Sequence, residues 1–182
     1  MLALILYVLV ITLEIVFLIG FIVFVTFLIY SSIKGAPYVP TNSKEADIIL
    51  KEANLKKGQS FIELGSGDGR LVRKAAKTYG VHALGIDINP ILVWYSKFLA
   101  FAESVRNASF LREDLFKVSL KGADIVYLFL MPELLEKLTP ALKKDLRKGA
   151  LVISHGFAIP ALKKNLEKTI VHSPFPTYFY RI

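Results

Sequence analysis

Cysteine is absent from this 182-residue chain. That excludes disulfides, thiolate nucleophiles and thiolate metal sites. The three histidines, His82, His155 and His172, lie far apart without metal-ligand spacing, and no metal centre is expected. Charge is missing from a whole region. All 23 Lys and Arg fall at or after Lys34, and Glu14 is the one charged residue ahead of it. Internal repeats and low-complexity runs are lacking too, which excludes repeat architectures. No arginine-rich tail or aromatic-interleaved basic module occurs either, so no nucleic-acid partner is expected.

Residues 1–33 instead read Leu, Ile, Val and Phe, with Ala, Gly, Thr and Tyr between. About 20 apolar residues span a bilayer, so the segment is long enough even when tilted. Tyr7 and Tyr30 are placed to anchor at the two interfaces, with Lys34 just beyond. A secretory signal would need a basic start, a shorter apolar run and a small-residue cleavage site. The expectation is one uncleaved transmembrane anchor. The Lys and Arg that follow it put the rest of the chain on the cytoplasmic side of the membrane, or in the matrix of a mitochondrion. Net charge is +8 for the chain and +9 without Glu14. In a tethered protein, attraction to an anionic lipid bilayer accounts for that excess.

The linker 34–41 contains Pro37 and Pro40, which forbid helix continuation. Residues 42–182 then suffice for one domain. Asn42 with Glu45 suggests a helix start, with Ala46, Ile49, Leu50 and Ala53 inward. Strands are expected near 60–64, 82–87, 108–112, 124–130 and 150–155, with helices near 69–79, 90–104 and 132–147. Two closing strands, 169–173 and 177–182, flank Pro174 and Pro176. Such alternation predicts an α/β, Rossmann-like, mostly parallel sheet of seven strands with helices on both faces.

The most informative stretch is Glu63-Leu64-Gly65-Ser66-Gly67-Asp68-Gly69-Arg70. A strand ending in an acid runs into three alternate glycines and then a helix, so a ligand can meet bare backbone and a helix N-terminus. Dinucleotide loops read G-x-G-x-x-G. Here the third glycine comes one residue early, which with the leading acid suits S-adenosylmethionine (SAM) better than NAD. Asp87, 24 residues after Glu63, ends the second strand where ribose hydroxyls would be held. Asp114 ends the third, where it could accept from an adenine amine. The candidate cofactor residues are Glu63, Gly65, Ser66, Gly67, Asp68, Gly69, Asp87, Ile88, Asn89, Asp114 and Leu115.

These motifs resemble the class I, seven-strand SAM-dependent methyltransferases over everything after Thr41. Pro37-Tyr38-Val39-Pro40-Thr41, the glycine loop, Ile88-Asn89-Pro90 with Trp94-Tyr95-Ser96, and Asp114-Leu115-Phe116-Lys117 are similar to the membrane-anchored protein-lysine methyltransferases. Members of that family methylate the ATP synthase c-subunit and the adenine nucleotide carrier, which implies a membrane-associated protein substrate. Phe116 replaces the family's Trp, and Glu63 stands where Asp is common. Leu130-Met131-Pro132-Glu133 replaces a glycine-containing turn, so the acceptor is not carried over. That turn also lacks the polar side chain that holds a poorly nucleophilic NH₂, which is compatible with lysine once desolvation has lowered its pKa. No catalytic residue is assigned. The substrate-pocket candidates are Tyr38, Trp94, Tyr95, Met131, Pro132 and Glu133, the aromatics for a developing methylammonium. Packing is the other reading of Tyr38, Trp94 and Tyr95. A small-molecule or lipid methyltransferase at the membrane surface, and a non-catalytic SAM-fold scaffold, are the alternatives.

Overall fold

Phe61, Ile62 and Leu64 are buried on both faces of β1 (Ser60–Leu64), as a central parallel strand requires. β1 belongs to a seven-stranded sheet in a computed structural model that describes residues 1–34, 41–171 and 173–182, the side chains of 2, 24 and 27–34 excepted. The other strands are β2 (His82–Asp87), β3 (Ala108–Arg112), β4 (Ile125–Leu128), β5 (Leu151–His155), β6 (Leu166–Ile170) and β7 (Thr177–Arg181). Their spatial order is β3-β2-β1-β4-β5-β7-β6. The first five strands are parallel, while β7 pairs antiparallel with both β5 and β6. This is the expected fold class.

The chain divides into two units, Met1–Tyr38 and Val39–Ile182. The first contains α1 (Leu2–Lys34). Its stretch Ala3–Val23 has mean hydropathy 2.8, is unburied, and is long and apolar enough to cross a membrane. The second contains α2 (Ser43–Glu52), α3 (Arg70–Tyr79), α4 (Pro90–Ala102), α5 (Pro132–Asp145) and a short 3₁₀ helix, Pro160–Asn165. Asn42 caps α2, its side chain accepting from the Lys44 N–H at 2.9 Å. Asn89 caps α4, accepting from Ile91 and Leu92, with Pro90 in the first turn.

Two apolar layers sandwich the sheet. Ile49 and Leu50 of α2, Leu71 and Val72 of α3, and Val93 and Ala100 of α4 pack with Phe61, Ile153 and Phe179. On the other face, Leu135, Leu138 and Leu142 of α5 and Leu162 pack with Ile62, Val126, Leu128 and Val152. β6 begins three residues before the expected strand and ends at Ile170. Its Leu166-Glu167-Lys168-Thr169-Ile170 sequence forms an exposed edge, where ladder bonding rather than burial sets the limits.

Candidate active site

From β1 the connections run one way to β2 and β3 and the other way to β4 and β5. In open α/β sheets, ligands bind at the crevice such a reversal opens beyond the carboxyl ends of the strands. The turn 65–69 crosses there. The Gly65 and Ser66 N–H groups both donate to the Ile86 carbonyl, at 2.8 and 2.9 Å, tying the turn to β2. The Gly67 N–H donates to Asp87 Oδ2 at 2.9 Å, and the Gly67 carbonyl accepts from Ser96 Oγ at 3.0 Å. Asp87 Oδ1 accepts from the Asn89 N–H at 2.8 Å. Gly67 has φ +55°, in the left-handed region where a side chain is disfavoured.

Gly69 works differently. A Cβ there, or at Gly85, would come within 3.0 Å of the Phe110 ring. Gly69 also meets Ser96 Oγ on that side, and its N–H closes the turn on the Ser66 carbonyl. Its open side receives β3 and α4, not bare ligand space.

Carboxylates crowd this crevice. Burial pushes Glu63 well above the usual carboxylate range, and the charges of Asp68 and Asp87 push further. The Val72 N–H and the Arg70 guanidinium pull back less strongly. Asp87 is raised by burial against the pull of the Asn89, Gly67 and Ile88 N–H groups. Asp68 is also partly buried, but hydrogen bonds from the Arg70 side chain and backbone outweigh that burial and hold it low. Such a site favours a cation and repels a pyrophosphate. Glu63 Oε2, Ser66 Oγ and Asn89 Nδ2 are buried polar atoms without a hydrogen-bond partner. Buried polar groups are rarely left so. Around one turn they fit a polar, cationic cofactor.

Without ligand, Glu63 makes the fold pH-sensitive in a defined direction. The folded chain retains a proton that the unfolded chain releases above the ordinary carboxylate range. The stability contributed by Glu63 is therefore lost as pH rises from that range toward the raised folded value. Glu63→Gln cannot ionise, so it is expected to melt above wild type at pH 8, with the gap closing toward pH 4. A gap independent of pH in paired melting curves would contradict the assignment.

Other expected residues divide into two groups. Ile88 and Asn89 follow Asp87 directly. Asp114 is half-buried past β3, its Oδ1 accepting from the Phe116 N–H at 3.0 Å, with Leu115 beside it. Met131, Pro132 and Glu133 are exposed where α5 begins after β4. Trp94 and Tyr95 are exposed on the outer side of α4 and are not brought to the glycine turn. Of that triplet it is Ser96 that points inward. The packing reading of the two aromatics fails for the same reason. Tyr38 lies outside the described residues.

A buried polar cluster escaped the sequence reading. Glu63 is in register with Tyr127 and Tyr127 with Ile153, so these and His155, two residues on, share one face of the sheet. Thr41 Oγ1 and Tyr127 Oη are 3.0 Å apart. His155 Nδ1 is 2.8 Å from Thr177 Oγ1, and its Nε2 is 3.7 Å from Glu45 Oε2. Its ring meets Phe129 edge-on at 4.5 Å. The available signal was that His155, like Asp87, is a polar residue ending an apolar strand. Among the described residues, no group of three or more His, Cys, Asp or Glu is arranged to hold a metal ion. A cavity of about 350 Å³ lined by Lys56, Gln59, Asp124, Arg147 and Arg181 lies at the amino ends of β1, β4 and β5, the opposite end of these strands from this crevice.

The comparisons with known proteins agree with this geometry. The family model for the ANTKMT methyltransferase domain matches residues 63–166. The ATP synthase c-subunit lysine N-methyltransferase of Homo sapiens is 38% identical over 125 residues, 68% of this chain and 53% of that protein. The chain thus spans about half the length of such relatives. A protein-lysine N-methyltransferase of Saccharolobus islandicus (strain REY15A) is 35% identical over 133 residues, 71% of this chain and 81% of that protein. An RNA methyltransferase from Salinibacter ruber, solved with S-adenosyl-L-homocysteine, superposes with TM-score 0.75 at 33% identity, covering 79% of this chain and 94% of that one. A glycine turn tied to Asp87 at the switch point, and a family match that begins at Glu63, lead to one conclusion: the chain belongs to the ANTKMT methyltransferase domain family.

Proposed function

We propose that this protein is a SAM-dependent methyltransferase that methylates lysine side chains of a membrane-associated protein, working from the cytoplasmic or matrix face. The observation that carries the reading is the crevice of Glu63, Asp68 and Asp87 with its unsatisfied buried atoms. The names of the relatives point the same way. SAM, when bound, supplies an electrophilic methyl group on a sulfonium.

The chain's own residues do the rest. Asp87 would accept from the ribose hydroxyls, its bonds to the Gly67 and Asn89 N–H groups holding both oxygens in place for that task. Glu63 and Ser66 offer acceptors toward the ammonium, and the Gly65–Gly67 backbone lines the approach. Asp114 would accept from the adenine amine, and Ile88 and Leu115 would supply apolar walls. Leu130, Met131 and Pro132 would offer an incoming lysine no polar side chain, so its neutral amine would be favoured there once the proton has passed to solvent. The remaining task of the crevice would be to position the acceptor amine against the bound cofactor.

Full-length protein incubated with radiolabelled SAM and native membranes, then fractionated, tests this. Label is expected in protein bands, on lysine after hydrolysis. Label confined to the organic phase would replace the lysine reading with lipid methylation, and label confined to RNA would replace it with a nucleic-acid acceptor.

The apolar α1 is proposed as a single-pass anchor. Deleting 1–33 is expected to leave a soluble domain that binds SAM as before. Methylation of a membrane-embedded acceptor should fall about a hundredfold, because tethering raises effective concentration by factors of this order. An unfolded product, or an undiminished rate on membranes, would overturn the anchor's role.

A further inference from the structure

Helix α4 buries Leu92, Val93, Ser96 and Ala100. On the opposite side Ile91, Trp94, Tyr95, Phe98 and Phe101 are all exposed, Trp94 at 67% and Phe101 at 84%. At about 100° per residue these five fall within an arc of about 120°, facing away from the buried four. Trp94 and Phe98 stack with ring centroids 6.0 Å apart. Lys97 borders the stripe. Such a contiguous apolar face on a soluble domain marks a contact with something else.

We propose that the outer face of α4 docks into the interfacial layer of an anionic bilayer, giving the domain a second hold on the membrane besides α1. The inference rests on the membrane-confined reading above. A helix that buries an apolar face in the headgroup boundary is rich in Trp and Phe on that face and carries Lys nearby. Trp and Tyr concentrate at that depth in membrane proteins. The face is convex. A fluid lipid surface accommodates a convex helix, whereas a protein partner must bring a matching groove. Residues 34–182 carry a net +9, complementary to anionic headgroups, and α1 contains a stretch long enough to hold the chain at such a surface. Since α4 starts three residues after Asp87 and its Ser96 reaches the glycine turn, docking this helix also sets the crevice close to the headgroups, where a membrane protein presents its lysines.

Trp94 is the one tryptophan in the sequence, so its fluorescence reports on this face alone. Full-length protein is reconstituted into vesicles of phosphatidylcholine and phosphatidylglycerol, with and without lipids brominated near the headgroup. Docking predicts a blue-shifted emission, quenching of roughly twofold or more by brominated lipid, and protection from acrylamide. Substituting Phe98→Ser and Phe101→Ser together should reverse most of that quenching, with SAM affinity, measured in the same sample, unchanged. Emission that stays red and acrylamide-accessible in vesicles overturns the proposal. So does protection that requires added membrane protein, which would assign the face to a protein partner. Neither readout involves methyl transfer, so a protein that docks but labels no lysine refutes the proposed function alone.

Discussion

Gly67→Val is expected to show no SAM binding by calorimetry. Gly67 has φ +55°, and its N–H and carbonyl are both committed, to Asp87 Oδ2 and Ser96 Oγ. A β-branched residue at that φ strains the backbone by about 1–3 kcal/mol, a loss of about 5- to 150-fold if the loop must be restored on binding. The added side chain would also stand where the cofactor approaches. Gly122 provides the control. It too has positive φ, but open space surrounds it, outside the crevice. Gly122→Ala should lower the melting temperature and leave SAM affinity intact. A folded Gly67→Val protein with wild-type affinity would refute the site.

Asp87→Ala is expected to weaken SAM binding at least about tenfold. Each charge-assisted hydrogen bond to ribose is worth roughly 1.5–3 kcal/mol, and 1.4 kcal/mol is a factor of ten. The structure adds a second loss, since the same carboxylate holds the Gly67 and Asn89 N–H groups. Asp87→Asn keeps one carbonyl acceptor and should fall between wild type and alanine. A loss below about twofold in a folded Asp87→Ala protein would mean that another residue holds the ribose. Because burial raises the Asp87 carboxyl, SAM affinity should also fall on acidification, beginning above the ordinary carboxylate range.

What was legible in the sequence is what local pattern encodes. β1, β2 and β5 are apolar runs with Glu63, Asp87 and His155 at or next to their carboxyl ends, and the Asn-capped helices α2 and α4 begin where their caps stand. β6 was misplaced because four of its five residues are exposed, so no burial pattern marks its ends. The outward stripe of α4 was hidden for the opposite reason. A helix rich in apolar residues all round reads as buried, and only the packing of its neighbours decides which side is left bare. The pairings of Asp87 with Gly67, Tyr127 with Thr41, and His155 with Thr177 join residues far apart in sequence, and nothing local announces them.

The ring of Phe110 has one further consequence. It fills the space beside Gly69 in the turn and beside Gly85 in β2, while Ser66 Oγ and Ser96 Oγ border the same two glycines. Three segments of the chain therefore share a single volume, as parts of one lock. Enlarging either glycine and shrinking Phe110 are each costly alone and compensatory together, so their effects on stability should fail to add. In any lineage of this domain, the size of residue 110 and the freedom of positions 69 and 85 to drift from glycine are one heritable choice, made in β3 but binding on the glycine turn.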